Sequence, residues 1–118
     1  MHARVFICLF ILLIIMTGSK CNHNKSITFC GVNNPVENID WLRERVENAE
    51  NIEVIKFTYN ETEYLSINPC PGCPDNMTEI FDCKGNRFCT IGGITGRNTC
   101  PANFLEKSHQ EVILKKGD

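Results

Sequence analysis

Residues 70–100 read CPGCPDNMTEIFDCKGNRFCTIGGITGRNTC and hold five cysteines in 31 positions. Two short strand-like runs and a glycine-rich turn separate these cysteines. The chain has 118 residues, and a chain of this size buries proportionally less surface than a large one. We therefore expect the sulfurs to form disulfides that stabilise a small fold.

The first 19 residues predict a secretory signal peptide. His2 and Arg4 give a short basic start, and residues 5–16 form an unbroken apolar run. Thr17 and Ser19 place small residues before a cleavage site, and the run is too short to anchor the chain in a bilayer. The sequence thus predicts a secreted, extracellular protein without a membrane span.

Cleavage after Ser19 would leave a polar lead over residues 20–29 and one disulfide-rich α+β domain over residues 30–118. The mature part would carry a net charge near −3 without a basic cluster, which argues against nucleic-acid binding. We expect the partner to be an extracellular protein or surface, and the protein to be a monomer unless Cys21 pairs between chains.

Seven cysteines remain after the signal peptide, and an odd number needs an explanation in an oxidising compartment. Cys21 lies at the start of the mature chain and is the one we expect to be unpaired, processed, or lipid-bearing if the source is bacterial. Six others can form three disulfides in 15 ways. These candidates are Cys30, Cys70, Cys73, Cys83, Cys89 and Cys100.

Apolar spacing predicts one N-terminal helix over residues 35–49, with Asn34 as the cap and Pro35 in the first turn. Alternating and β-branched runs predict strands over residues 52–59, 63–67, 77–83, 87–91 and 111–114. The predicted fold is α+β, with the helix packed on a four- to five-stranded antiparallel meander that disulfides stabilise.

Alternation along the first long strand places Ile55, Phe57 and Tyr59 on one face. Ile52, Val54 and Lys56 would share the other face. If Gly85-Asn86 is a two-residue loop, Asp82 pairs with Cys89 on the next strand. Cys83 and Cys89 would then project from opposite faces and belong to different disulfides.

The pair Cys70-Pro-Gly-Cys73 is the sharpest chemical motif, because a C-x-x-C pair can exchange electrons when its first thiol is acidified. No following helix supports that reading, so a structural disulfide is favoured over a thiol–disulfide oxidoreductase. A protease inhibitor that presents this proline-rich loop is a further alternative. Zinc is a weaker alternative: Cys83 and Cys89 are spaced too widely to form a standard zinc knuckle with Cys70 and Cys73, and an oxidising compartment favours disulfides. We predict no catalytic residues, no metal and no cofactor, and the histidines are isolated.

Three Asn-x-Ser/Thr triplets mark candidate glycosylation sites at Asn24, Asn60 and Asn76. Such acceptors lie on surface turns of secreted proteins, so each is expected in an exposed segment.

Cysteine, glycine and proline motifs recur along residues 30–101. They are CGVNNP at 30–35, WL at 41–42, NPCPGCPD at 68–75, FDCKGN at 81–86, Cys89, GG at 92–93, Gly96 and NTCP at 98–101. Together they resemble an uncharacterised family of small exported six-cysteine proteins, a domain of unknown function found mainly in bacterial secreted proteins and lipoproteins. The resemblance implies export and a domain to which Cys21 does not belong, and it implies no catalytic residues. A binding, structural or host-defence role outside the cell is the function that we expect.

Overall fold

The computed structural model describes residues 26–117, and this part of the chain is mostly β. Its strands are β1 Thr28–Phe29, β2 Val32–Asn33, β3 Ile52–Tyr59, β4 Thr62–Asn68, β5 Met77–Phe81, β6 Arg87–Gly92, β7 Arg97–Asn98 and β8 His109–Lys116. Its helices are α1 Pro35–Asn38, α2 Asp40–Val46 and α3 Phe104–Lys107. The predicted four- to five-stranded sheet has six strands in the order β7-β6-β5-β4-β3-β8, and β1 and β2 form a separate hairpin.

The predicted single helix is wrong, because the backbone breaks at Ile39. This residue is extended, with φ −107° and ψ 111°, and it separates α1 from α2. After the break, α2 buries Leu42 and Val46 in the core of the helix face. Arg43 donates from its guanidinium to the Glu37 carbonyl at 2.9 Å, so a side chain satisfies a carbonyl at the end of α1.

The last strand lies beside the first long one. Strands β3 to β7 follow each other as an antiparallel meander, and β8 returns to pair with the free edge of β3. The prediction placed a short strand at residues 111–114, whereas β8 spans eight residues. Its pairing shifts between Val54 and Ile55 of β3, so one extra residue bulges from β8.

Both faces of the sheet are buried, each by a different set of side chains. We call one the helix face, because α1 and α2 cover it; its buried residues are Phe29, Leu42, Val46, Ile52, Val54, Leu65, Ile67 and Phe81. The other is the aromatic face, with buried Phe57, Ile80, Cys89 and Phe104. The predicted alternation in β3 is confirmed, since Ile52 and Val54 lie on the helix face and Phe57 lies on the aromatic face.

The turn between β5 and β6 differs from the two-residue loop that we predicted. Strand β5 ends at Phe81, which pairs with Arg87, while Ile80 pairs with Cys89 across a register shift. The carboxylate of Asp82 accepts hydrogen bonds from the backbone amides of Lys84 and Asn86, each at 2.9 Å. This carboxylate closes a longer turn, so the predicted pairing of Asp82 with Cys89 is wrong.

Candidate functional site

The C-x-x-C motif forms a tight surface loop between β4 and β5. Cys70 and Cys73 are joined by a disulfide, and the Cys73 amide donates to the Cys70 carbonyl at 3.1 Å. The Asn76 amide then donates to the Cys73 carbonyl at 3.3 Å. Cys73 is exposed and Cys70 is half-buried, so one sulfur-bearing residue of the pair faces solvent.

Two asparagines hold the ends of this loop together. The Asn68 side-chain oxygen accepts from the Cys70 amide at 3.0 Å and also from the Asn76 side-chain amide. The Asn76 carbonyl accepts from the Gly93 amide at 3.1 Å, which ties the loop to the turn after β6. These bonds involve no sulfur, so they fix the loop backbone independently of the disulfide.

A surface depression of about 180 Å³ lies beside Cys70. Its lining consists of Asn51, Cys70, Pro71, Lys115, Lys116 and Gly117. Lys116 donates from its ammonium group to the Val46 carbonyl at 2.7 Å, so its charge lies at the carboxyl end of α2. Gly117 packs so closely on the Asn51 side chain that a Cβ at position 117 would overlap that side chain. The residue that follows β8 therefore lines the same depression as Cys70.

The other two disulfides lie on opposite faces of the sheet. Cys30 pairs with Cys83, 53 residues away, and packs against the helix face. Cys89 pairs with Cys100, 11 residues away, and both belong to the aromatic face. The register behind our expectation for Cys83 and Cys89 is wrong, yet these two cysteines do lie in different disulfides. Of the 15 pairings that the sequence left open, this is the one in the structure.

A charged cluster that the sequence did not predict lies on the helix face. Lys56 forms ion pairs with Glu63 at 3.5 Å and with Glu111 at 3.3 Å, and only 11% of its side chain is exposed. Its ammonium group also donates to the Thr28 carbonyl at 2.8 Å, and Glu63 accepts from the Cys30 amide. Alternation had already placed Lys56 on the face of Val54, and a lysine on a buried face needs carboxylate partners.

This cluster connects β1, β3, β4 and β8, so it joins the N-terminal hairpin to the sheet. Its groups are satisfied by one another and by backbone atoms, which is the arrangement of a structural ion-pair network.

The acidic residues of β5 and its turn also have structural partners. Glu79 pairs with Arg87 at 3.2 Å on the exposed surface, and Asp82 closes the turn. His109 is exposed at the start of β8, while His23 lies outside the described residues. Within residues 26–117 no group of three or more metal-ligating side chains comes together.

The glycosylation candidates occupy different environments. Asn60 is exposed in the turn between β3 and β4. Asn76 is half-buried and its side-chain amide is bonded to Asn68. Asn24 lies outside the described residues, as does Cys21. Glycosylation at all three stays a prediction, and so does the fate of Cys21.

Helices in the described part of the chain are too short and too polar to cross a membrane. Comparison with curated proteins and with solved structures gave no match. The model of a domain of unknown function, DUF6970, matches residues 41–116. This match spans the six-stranded sheet and five of the six paired cysteines, and it leaves Cys30 and the N-terminal hairpin outside. Because the match covers more than half of the 118 residues, the chain belongs to the DUF6970 family.

Proposed function

We propose that the protein is an exported domain that acts by binding or as a structural component outside the cell. The observation that carries the proposal is the pairing of Cys30, Cys70, Cys73, Cys83, Cys89 and Cys100 into three disulfides within one small fold. Disulfides of this density persist in oxidising compartments and are rare in reducing ones. The signal-like residues 1–19 point to the same compartment.

Two of the disulfides explain how so small a fold stays folded in that compartment. The Cys30–Cys83 bond holds the hairpin of β1 and β2 to the turn after β5. The Cys89–Cys100 bond holds β6 to the segment that leads into α3. Each restricts the unfolded chain, and the restriction grows with the length of the loop that is closed.

A groove between two turns is the surface best suited to a partner. Tyr64 and Phe88 stack there with ring centroids 4.4 Å apart, and Phe88 is 40% exposed. Thr62, Asp82, Lys84 and Asn86 add polar groups around the rings. Exposed aromatic side chains with a polar rim are typical of protein-binding surfaces, so this groove supports binding to an extracellular protein.

The first experiment tests the disulfides. Protein collected from the culture medium is alkylated before and after reduction and mapped by mass spectrometry. We expect no alkylation at the six paired cysteines before reduction, and a large fall in melting temperature in strong reductant. Alkylation of all six in the native protein would overturn the proposal, as would a melting temperature that reductant does not change.

The second experiment tests export. The full chain and a variant without residues 2–19 are expressed side by side, and the N-terminus of the exported product is sequenced. We expect a mature N-terminus at Lys20 in the medium and retention of the shortened variant in the cell. Equal retention of both forms inside the cell would contradict the proposal.

The third experiment tests binding at the groove. Phe88→Ala is compared with Ile94→Ala, at an exposed residue outside the groove, in partner capture from extracellular fluid.

A further inference from the structure

The three disulfides contribute unequally to the fold. Cys70 and Cys73 are three residues apart, whereas the other pairs span 53 and 11 residues. A shorter closed loop removes less entropy from the unfolded chain, so the Cys70–Cys73 bond stabilises the fold least. It also lies outside both buried clusters, while Cys30, Cys89 and Cys100 pack within or against them. Opening this bond therefore leaves the two cores intact.

The loop backbone does not depend on the bond either. Asn68 accepts from the Cys70 amide at 3.0 Å, and the Cys73 amide donates to the Cys70 carbonyl at 3.1 Å. Both hydrogen bonds remain available after reduction, so the two sulfurs stay close enough to pair again. A loop of this kind permits repeated opening and closing of its disulfide.

Two lysines line the depression beside Cys70. Lys115 and Lys116 line the same depression as Cys70, and Lys116 is oriented by its bond to the Val46 carbonyl. Lys115 is exposed and lies opposite Glu53 in the strand register. A nearby ammonium group stabilises a thiolate and makes it a better leaving group. Lys116 is held at the carboxyl end of α2, so Lys115 is the lysine to which we assign the part that a helix N-terminus plays in other C-x-x-C sites.

We propose that Cys70–Cys73 is a thiol–disulfide exchange site that takes a low-molecular-weight thiol as its co-reactant. The thiolate of that thiol attacks the sulfur of the exposed Cys73, a mixed disulfide forms, and Cys70 leaves as a thiolate in the depression that Lys115 also lines. A second thiol then attacks the mixed disulfide, releasing the Cys73 thiol and the disulfide of the two small thiols. Two electrons pass from the two small thiols to the protein bond, which is reduced to two thiols.

The test follows the order in which the three disulfides open. The exported protein is treated with limiting glutathione, quenched by alkylation at successive times and mapped by peptide mass spectrometry. We expect Cys70 and Cys73 to become alkylated at least tenfold faster than the other two pairs, while the fold persists by circular dichroism. Opening of Cys30–Cys83 at an equal or faster rate would overturn the proposal, since Cys83 is exposed as well.

Lys115→Gln tests the charge effect, and Lys107→Gln, at an exposed lysine at the end of α3, is the control. We expect Lys115→Gln to slow the opening of Cys70–Cys73 roughly threefold to tenfold, and Lys107→Gln to leave its rate unchanged. Glu53→Gln should accelerate it, because a negative charge opposite Lys115 is removed.

A readout of the Cys70 thiol itself separates a positioning role from a merely structural one. The pH dependence of iodoacetamide alkylation in the reduced, folded protein reports the pKa of that thiol. We expect a pKa below about 8.5, the value of a free cysteine, and a rise in Lys115→Gln. An unshifted pKa in the unsubstituted protein, or an equal pKa in the variant, would show that Lys115 does not act on Cys70.

Discussion

The two faces of the sheet are buried by different means. The helix face is mainly aliphatic and is covered by α1 and α2, and its disulfide joins residues 53 apart. The aromatic face is covered by one short helix whose Phe104 contacts four other rings, and its disulfide joins residues 11 apart. The helix face therefore depends on a disulfide between distant parts of the chain, while the aromatic face depends on the packing of one side chain.

Truncation of the central aromatic residues should have the largest effect. Phe104 is 2% exposed, so Phe104→Ala removes a buried ring and should lower the free energy of unfolding by about 3–5 kcal/mol. Phe29→Ala is the matched change on the helix face. Urea denaturation measures both, and Phe104→Leu should cost less than about 1.5 kcal/mol. A loss below about 1 kcal/mol for Phe104→Ala would mean that ring packing does not hold the aromatic face.

Removal of a disulfide should lower the free energy of unfolding more on the face whose disulfide closes the longer loop. Replacing Cys30 and Cys83 together by alanine opens a 53-residue separation and should cost about 4 kcal/mol. The same replacement of Cys89 and Cys100 opens a separation of 11 and should cost about 3 kcal/mol. Chemical denaturation of both double variants measures the order. The reverse order would show that local packing outweighs the connection of the chain.

The turn beneath Trp41 offers a smaller test on the helix face. Gly85 has φ +82°, and a Cβ there would lie 2.7 Å from the Trp41 ring. Gly85→Ala should therefore cost about 2 kcal/mol and change the tryptophan fluorescence. Gly96 is the control, because it has φ +62° and open space around it. Gly96→Ala should cost about 1 kcal/mol or less and leave the fluorescence unchanged; equal effects would exclude the contact with Trp41 as the cause.

The smallest expected effect is the pH dependence of stability that comes from Asp82, in the same turn as Gly85. Slight burial raises the pKa of Asp82. Hydrogen bonds from the backbone amides of Asn86 and Lys84 and from the Asn86 side chain lower it, and so does the charge of Lys84. These lowering effects outweigh burial, so the pKa lies below its ordinary value of 3.8. A carboxyl group whose pKa is lower in the folded than in the unfolded protein stabilises the fold at pH values above the unfolded pKa. This stabilisation is lost as the pH falls through the folded pKa.

Asp82→Ala should thus cost at most about 1 kcal/mol at pH 6. The difference from the unsubstituted protein should shrink below pH 3.8. Urea midpoints between pH 6 and pH 2 measure this difference. A difference that stays constant to pH 2 would assign the loss to the shape of the turn rather than to the carboxylate charge.

Local patterns predicted those elements whose side chains alternate regularly. The run of Ile, Val, Phe and Tyr in β3 gave both the strand and its two faces. The helix prediction failed because the apolar spacing continues through Ile39, although the backbone there is extended. A spacing of three and four residues does not distinguish one helix from two helices that cover the same face. The β5–β6 register failed because the Asp82 carboxylate, which no spacing rule includes, lengthens the turn.

The candidate site was visible only in part. The Cys70-Pro-Gly-Cys73 motif is contiguous, so the sequence shows it directly. Lys115 is 45 positions from Cys70 and lines the same depression only because β8 pairs with β3, which no local pattern specifies. Disulfide partners are undetermined for the same reason, since pairing depends on tertiary position.

The position of β8 also bears on how the chain is made. Strand β8 begins 50 positions after its neighbour β3 ends, so it is synthesised well after β3. Until then β3 carries an unpaired edge, and the core of the helix face lacks Ile113 and Leu114. Strand β3 is therefore open to pairing with another chain until β8 has been synthesised and covers that edge.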